Sequence, residues 1–385
     1  MDFSVTEDQK VLIKLVRDFV KKEIAPHILE LDAKGDFPLE IFKKAWEMGL
    51  TNLCIPKDFG GAGIDAMSRC IIPEELSYGC SGIATSALCN DLANTVIAMY
   101  GTQEQKEKYL RPFTEKPIFA SFCLTEVDAG SDNLAMSSYI KKREDGKYVL
   151  NGSKCFITNA NYASQFTVIC KLNDPHSKIL TCLVTPREPE EGKIEISKPN
   201  QKLGQYLSNN ASVTFDHVVV DPSQIIGERF LGFKYVMDVL DFARPLVASM
   251  GVGLAQRAYD LTLEFAKQRI EFGQRICDMP VVRESLVKMF NKVQVARTMT
   301  RFCLWKLKND EADKSLYASL AKNLAAEAAI FNATEGLHLH GGYGFMREYE
   351  ISKLARDAHI LDIYEGVREI HSMLEARSII SPPTN

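Results

Sequence analysis

Tyr148-Val149-Leu150-Asn151-Gly152-Ser153-Lys154-Cys155-Phe156-Ile157-Thr158 is the stretch in which the periodicity of this chain changes. Apolar, β-branched and aromatic residues sit on both sides of an Asn-Gly pair, the pattern of two short strands around a tight turn. Comparable runs follow at Phe166-Thr167-Val168-Ile169, Ile179 to Val184, Ile194-Glu195-Ile196 and Val213-Thr214-Phe215, with turn residues such as Pro186 to Gly192 between them. The spacing predicts an antiparallel sheet or barrel over residues 119–229. Upstream, Val11, Leu12, Leu15, Val16, Phe19 and Val20 recur at helical spacing, and Ile41 to Leu50, Ile71 to Ser77 and Ile83 to Tyr100 continue in that style. The Gly60-Gly61-Ala62-Gly63 cluster breaks the helical run. Downstream, Gly253 to Arg269 and Glu284 to Leu307 are long and amphipathic, and Ala318 to Gly336 is rich in Ala, which suits close helix packing. The expected class is therefore α+β in three regions: helical over 1–118, β over 119–229 and helical again over 230–385.

The 385 residues are too many for one ordinary core. Hydrophobic content of 46% and charged content of 25% are those of a soluble globular protein. A net charge of -4 offers no electrostatic footprint for nucleic acid. No apolar run approaches the ~20 residues that span a bilayer. Thr6-Glu7-Asp8-Gln9 reads as a capping box opening a helix rather than as a targeting peptide. The ten cysteines are scattered without a CxxC pair, so zinc and dithiol chemistry lack support, and reduced thiols in a cytoplasm are expected.

Near the C-terminal end, Ile363-Tyr364-Glu365-Gly366 places one carboxylate between an aromatic ring and a glycine. Burial beside apolar groups raises a Glu pKa toward working pH, and a glycine lets a carbon acid approach the backbone. Taken alone, the segment reads rather as a helix end with a Gly cap and a solvated Glu.

The rest of the chain changes that reading. Phe122-Cys123-Leu124-Thr125-Glu126, Ala129-Gly130-Ser131-Asp132, Phe156-Ile157-Thr158-Asn159, Gln268-Arg269 with Phe272-Gly273, His340-Gly341-Gly342-Tyr343-Gly344-Phe345 and Ile363-Tyr364-Glu365-Gly366 are together similar to the motifs of the acyl-CoA dehydrogenases, over essentially the whole length. The resemblance implies an N-terminal helical domain, a central β-domain and a C-terminal four-helix bundle. It implies FAD, a CoA thioester substrate, a homotetramer built as a dimer of dimers, and electron-transferring flavoprotein as acceptor. It implies Glu365 as the base that takes the α-proton while flavin N5 takes the β-hydride, with the Glu365 backbone N–H polarising the thioester oxygen. For the flavin it implies Phe122, Leu124, Thr125, Phe156 and Thr158, with Arg269, Phe272, His338, Gly341, Gly342, Val367 and Glu369 toward the FAD of a neighbouring subunit. For the substrate it implies Ser131, Asp241, Arg244, Tyr364 and Gly366. Physically, Phe156 and Thr158 fall two apart on a strand and so share a face, while Arg244 serves equally as a structural ion pair.

Several positions depart from the family pattern. Phe156 stands where Trp is commoner, which keeps the stacking surface and loses a donor. Val367 stands where a Thr usually bonds FAD; His338 and Pro280 stand where Gln is frequent. Tyr206-Leu207 replaces an Arg-containing turn. His338 and His340 point apart on a helix with no third ligand in view, so no metal is expected.

Asp91 is the departure with chemical content. Ala84, Leu88, Asp91 and Thr95 share one helical face, which the resemblance places against the acyl group. A charge in such a pocket costs free energy unless it is paired or working. Asp91 is solvent-exposed, a neutral hydrogen-bonded wall, or a second base acting further along the acyl group. The last resembles the alicyclic acyl-CoA dehydrogenases, which take cyclohex-1-ene-1-carboxyl-CoA to a conjugated cyclic diene in a 1,4 sense. A linear α,β-dehydrogenase, an oxidase, an enoyl-CoA reductase and a CoA-binding protein of the same fold share most of these motifs.

Overall fold

The computed structural model describes residues 5–380; the extreme ends of the first and last regions, 1–4 and 381–385, lie outside the described residues. The helical N-terminal part comprises α1 (Glu7–Phe19), α2 (Ile28–Lys34), α3 (Leu39–Glu47), α4 (Ala66–Tyr100), α5 (Gln103–Tyr109) and α6 (Pro112–Glu115). The Thr6 side chain accepts from the Gln9 backbone and the Gln9 side chain returns to Thr6, the capping box expected from sequence. The two helical runs between Ile71 and Tyr100 are one helix with a non-helical break at Cys80. The 60–63 cluster is a loop, as expected.

The β-region holds β1 (Phe119–Cys123), β2 (Tyr139–Lys142), β3 (Tyr148–Thr158), β4 (Ala163–Leu172), β5 (Leu180–Pro186), β6 (Lys193–Ile196) and β7 (Asn210–Val220). Two expectations are corrected here. The sheet is mixed, not antiparallel: β1 and β2 both run parallel to β4, while the β2–β3, β3–β7, β4–β5 and β6–β7 pairs are antiparallel. Alternation of side chains reports faces and is blind to strand direction, which is why the sequence misled. Nor does Asn151-Gly152 turn the chain. β3 continues through it with a shift of register against β7, and Gly152 lies at φ +144 where an added Cβ would sit 2.1 Å from the Ser138 hydroxyl. Phe166, Val168, Val213, Phe215 and Val218 fill the core between the strands.

The C-terminal part is α7 (Gly232–Gln268), a short β8 (Ile270–Glu271) and β9 (Gln274–Arg275) hairpin, α8 (Pro280–Lys308), α9 (Lys314–Leu339), α10 (Glu350–Ala358) and α11 (Arg368–Ile380). α7, α8 and α9 pack together, α10 and α11 lie against α9, and α4 packs along α7. Buried Ala318, Ala321, Ala325 and Ala328 let α9 approach its neighbours closely. One core runs from Val16, Phe19 and Ile24 through Leu76 and Ile83 to Met250, Leu254, Ala329 and Leu354, so the two helical ends are joined through α4. Among the described residues, no helix is long and apolar enough to cross a membrane.

Candidate active site

A narrow cavity of about 50 Å³ lies where α4, α7, the end of β3 and the segment before α11 meet. Leu88, Leu92, Val239, Phe242, Leu246 and Val247 make its walls apolar, and Thr85, Asp91, Thr95, Thr158, Tyr364 and Glu365 bring the polar atoms. Two carboxylates named from sequence, 274 positions apart, therefore line one cavity.

Glu365 sits in the left-handed region at φ +55, next to Gly366 at φ +106. A non-glycine residue there costs about 1–2 kcal/mol, a strain that marks functional turns. Its Oε2 has no partner. Burial raises its pKa, and the positive charges of Arg244 and Lys322 work against that rise. The Gly366 carbonyl accepts from Lys322 Nζ at 2.7 Å. A Cβ on residue 366 would lie 2.9 Å from His371 Nε2, so glycine is required by contact as well as by φ. His371 is fully buried, and burial with the Arg244 and Lys322 charges pushes its pKa down to about 3, so the ring is neutral.

Asp91 is 2% exposed, which excludes the solvated reading. Its Oδ1 accepts from Cys54 N at 2.5 Å, and its Oδ2 has no partner. Burial pushes its pKa up to about 6, against the pull of the Cys54 N–H and the more remote Arg69. The Cys89 thiol, pushed up to about 12 by burial, lines the same cavity and also feels the negative charge of both Glu365 and Asp91. At the Tyr364 side, the Thr85 hydroxyl donates to Gln205 Oε1 at 2.9 Å and stands 3.4 Å from the Tyr364 oxygen.

Arg244 is 2% exposed and donates to Asp241 Oδ1 at 2.7 Å, while Ser315 donates to Asp241 Oδ2. The ion-pair reading of Arg244 thus holds, and its Nε, without a partner, still faces a site that includes Glu365.

Leu124 and Thr125 lie just beyond the end of β1. Their carbonyls are engaged: Leu124 O accepts from Lys154 Nζ and Thr125 O from Cys155 N, each at 2.9 Å. Lys154 also pairs with Glu126 at 2.8 Å in a buried ion pair. Burial lifts the Glu126 carboxyl, but Lys154 and the Ser137 and Ser138 donors hold it down at about 2. Phe122 is buried on β1, Ser131 is exposed on the following turn, and Thr158 opens on the cavity. Phe156 is 69% exposed at φ +58, where the β3–β7 register shifts, so simple alternation does not govern this end of the strand.

A second concavity joins Arg269, Glu271, His338, His340, Gly341, Gly342 and Tyr343. Arg269 pairs with Glu271 and lies over the Tyr343 ring, and Phe272 is 92% exposed. His338 is exposed, whereas His340 is buried with Nδ1 at 2.6 Å from Gly336 O, so the two rings do part as expected. Val367 immediately precedes α11 and Glu369 is exposed in its first turn, neither lining the first cavity. Lys322, His371, Lys154 and Gln205 are the polar residues of these sites that sequence reasoning missed. A lone Lys in the small-residue run of α9 was the one available signal.

Sequence models for the acyl-CoA dehydrogenase N-terminal domain, middle domain and C-terminal domain match residues 6–116, 121–218 and 231–380. The acryloyl-CoA reductase (NADH) of Anaerotignum propionicum is 35% identical over 381 residues, covering 99% of this chain and 96% of that protein. The butyryl-CoA dehydrogenase structure from Megasphaera elsdenii superposes with a TM-score of 0.94 at 31% identity, covering 99% of this chain and all of the other. An acyl-CoA dehydrogenase from Bacillus anthracis, solved in complex with FAD, superposes with a TM-score of 0.91 at 28% identity, over 99% of this chain and 70% of that one.

Proposed function

The chain belongs to the acyl-CoA dehydrogenase family, and from that premise we propose that it removes a proton and a hydride from a short or cyclic acyl-CoA, with Glu365 as proton acceptor and Asp91 as a second working carboxylate. FAD is the cofactor of this family, and when bound it supplies the hydride acceptor. The residues present fit such a group. A Cβ on Gly341 or Gly342 would meet nothing within 4 Å, leaving backbone open to a phosphate, and Phe156 and Phe272 offer exposed aromatic faces. Arg269 stands beside that glycine corner as the cation for a pyrophosphate.

Support for the base comes from one observation: a buried Glu365 oxygen in an apolar cavity, unpartnered among the described residues, with two buried cations opposing the rise that burial gives its pKa. Desolvation brings the carboxylate nearer in basicity to an activated α-carbon. The Glu365 N–H serves as an oxyanion donor, a device whose loss typically costs ~10²–10³ in rate. Gly366 lets the thioester lie against the backbone, and Asp241 fixes the Arg244 guanidinium under the base segment. Ser131 and Tyr364 contact the CoA arm and the acyl group in this reading.

Asp91 supports the cyclic reading. Its free Oδ2 is buried in the same cavity, so a carbon further along the acyl group meets a second acceptor. With cyclohex-1-ene-1-carboxyl-CoA, a proton and a hydride leave carbons on either side of the existing double bond. That bond shifts, and a conjugated cyclic diene results. The linear α,β-dehydrogenation has its own support in the butyryl-CoA dehydrogenase likeness, and the reverse reduction in the acryloyl-CoA reductase likeness. The proposed assembly is a homotetramer in the cytoplasm, in which the second concavity faces a neighbouring subunit's FAD, with electron-transferring flavoprotein as acceptor. The domain limits proposed remain 1–118, 119–229 and 230–385.

The test is product analysis with cyclohex-1-ene-1-carboxyl-CoA against butyryl- to octanoyl-CoA, using wild type, Glu365→Gln and Asp91→Asn. Loss of substrate bleaching of FAD in Glu365→Gln is expected for the linear substrates, whose α-carbon carries the proton, and loss confined to the cyclic substrate, which has no hydrogen on its α-carbon, in Asp91→Asn. Near wild-type bleaching by Glu365→Gln with the linear substrates would overturn the base assignment. Faster linear turnover, untouched by Asp91→Asn, would reduce Asp91 to a wall.

A further inference from the structure

Lys322 is 0% exposed in the middle of α9, surrounded by alanines, and has one hydrogen-bond acceptor in reach, the Gly366 carbonyl at 2.7 Å. An ammonium buried with a single peptide oxygen is costly unless a charge nearby compensates. The charges that face the base segment come from every element around it. α7 gives Arg244 with its partner Asp241, α9 gives Lys322, the turn before the segment gives Asp362, and α11 gives Arg368 and His371. Cys89 faces it from α4, and Tyr364 from the segment itself. Asp362 is bound to Arg368 at 2.7 Å, Asp241 is bound to Arg244, and the His371 ring is neutral. Glu365 therefore remains as the anion with no ion-pair partner of its own opposite Lys322.

We propose that Lys322 is the positioning residue of the base segment: its ammonium pins the Gly366 carbonyl, holding Glu365 in its left-handed turn, and supplies part of the positive field at the Glu365 carboxyl. The proposal rests on Glu365 being the base for its functional meaning, but not for its physical content. Lys322 links α9 to the segment at Gly366, a residue with no side chain of its own to anchor it. Burial lowers the Lys322 pKa to about 8, against the pull of Asp362 and Glu365, so the field it supplies is lost just above neutral pH.

The experiment follows the Glu365 carboxyl directly, by NMR titration of FAD-loaded protein carrying carboxyl-13C glutamate, with Glu365→Gln assigning the resonance by difference. In wild type the Glu365 resonance shows a second inflection near pH 8, when Lys322 loses its proton. In Lys322→Met that inflection is absent, and the Glu365 midpoint rises by about one pH unit, the low end of the effect of a nearby opposite charge. Lys322→Arg restores the midpoint. The acid limb of kcat moves in the same direction as the midpoint. A Glu365 midpoint unchanged in Lys322→Met overturns the proposal, and so does a wild-type resonance without the inflection near pH 8, a reading that holds whether or not the variants fold. Undiminished bleaching by Glu365→Gln with linear substrates strikes the base reading alone and leaves the titration result standing.

Discussion

Replacing Asp91 by Asn asks whether a carboxylic acid is truly shut into the cavity. Burial lifts the Asp91 pKa from an ordinary 3.8 to about 6. The folded state therefore binds this proton more tightly than the unfolded chain does. The sign follows from linkage: stability from the bound proton is fully present below pH 3.8, and is lost as pH rises through the folded value of about 6. A shift of roughly two units corresponds to about 3 kcal/mol at ~1.36 kcal/mol per unit. For a chain of 385 residues unfolding as one unit, an entropy of ~2.1 cal/mol/K per residue gives about 0.8 kcal/mol/K, hence about 4 °C. Asn keeps an oxygen for the Cys54 N–H and places an amide where Oδ2 has no partner, an offset that does not vary with pH. The assay is the apparent Tm of both proteins at one scan rate from pH 4 to pH 7.5. The Tm of Asp91→Asn minus that of wild type is expected to climb by about 4 °C across this range, centred between pH 4 and 6. A difference that stays flat would refute the reasoning, because Asp91 would then ionise as it does in water.

Three further outcomes follow from the same geometry. Gly366→Ala drives a Cβ to 2.9 Å from His371 Nε2 at φ +106, which should cost about 1–3 kcal/mol in stability and about 100-fold in kcat by misplacing the base; Gly130→Ala, with nothing within 4 Å, is the neutral control. Lys154→Met leaves Glu126 buried and unpaired beside the Leu124 carbonyl, and its chemical denaturation should show about 3–5 kcal/mol lost, with weakened flavin retention on gel filtration. A thiol reagent added to the native protein should label one site per chain, at Cys277, since the other nine thiols are buried; labelling of two or more under native conditions would contradict the packing.

What the sequence made legible was whatever local pattern encodes. The capping box at Thr6, the long amphipathic helices and the β-branched strands announce themselves through period and composition. Strand direction is not a local property, so the parallel β1–β4 and β2–β4 pairs were invisible, and Asn151-Gly152 was read as a turn although Ser138 demands that glycine inside a strand. The site divides along the same line. Glu365 and Asp91 were found because a carboxylate stands out among apolar neighbours. Lys322 and His371 stayed hidden because their meaning lies in what α9 and α11 bring against Gly366, a contact between segments 44 residues apart for Lys322. Gln205 escaped for the same reason. It stands at φ +49 because its backbone N–H is held by Asp357, and only the fold brings its side chain to Thr85 and Tyr364.

The two carboxylates do not share a common electrostatic lot, and this asymmetry bears on which reaction the cavity runs. Glu365 has two buried cations opposing its desolvation. Asp91 has a backbone N–H, and a guanidinium that already lies over the Phe242 ring. Environments that push paired acids apart assign their roles. Asp91 becomes an acceptor only as pH passes about 6. A linear substrate needs only Glu365. A cyclic substrate that delivers its proton further along the acyl group needs Asp91. Turnover of the cyclic substrate should therefore rise as pH passes through about 6 and lose this rise in Asp91→Asn. Cyclic turnover that shows no rise through about pH 6 in wild type would mean that Asp91 carries no proton in the reaction, and that the unpartnered Oδ2 is a feature of the wall.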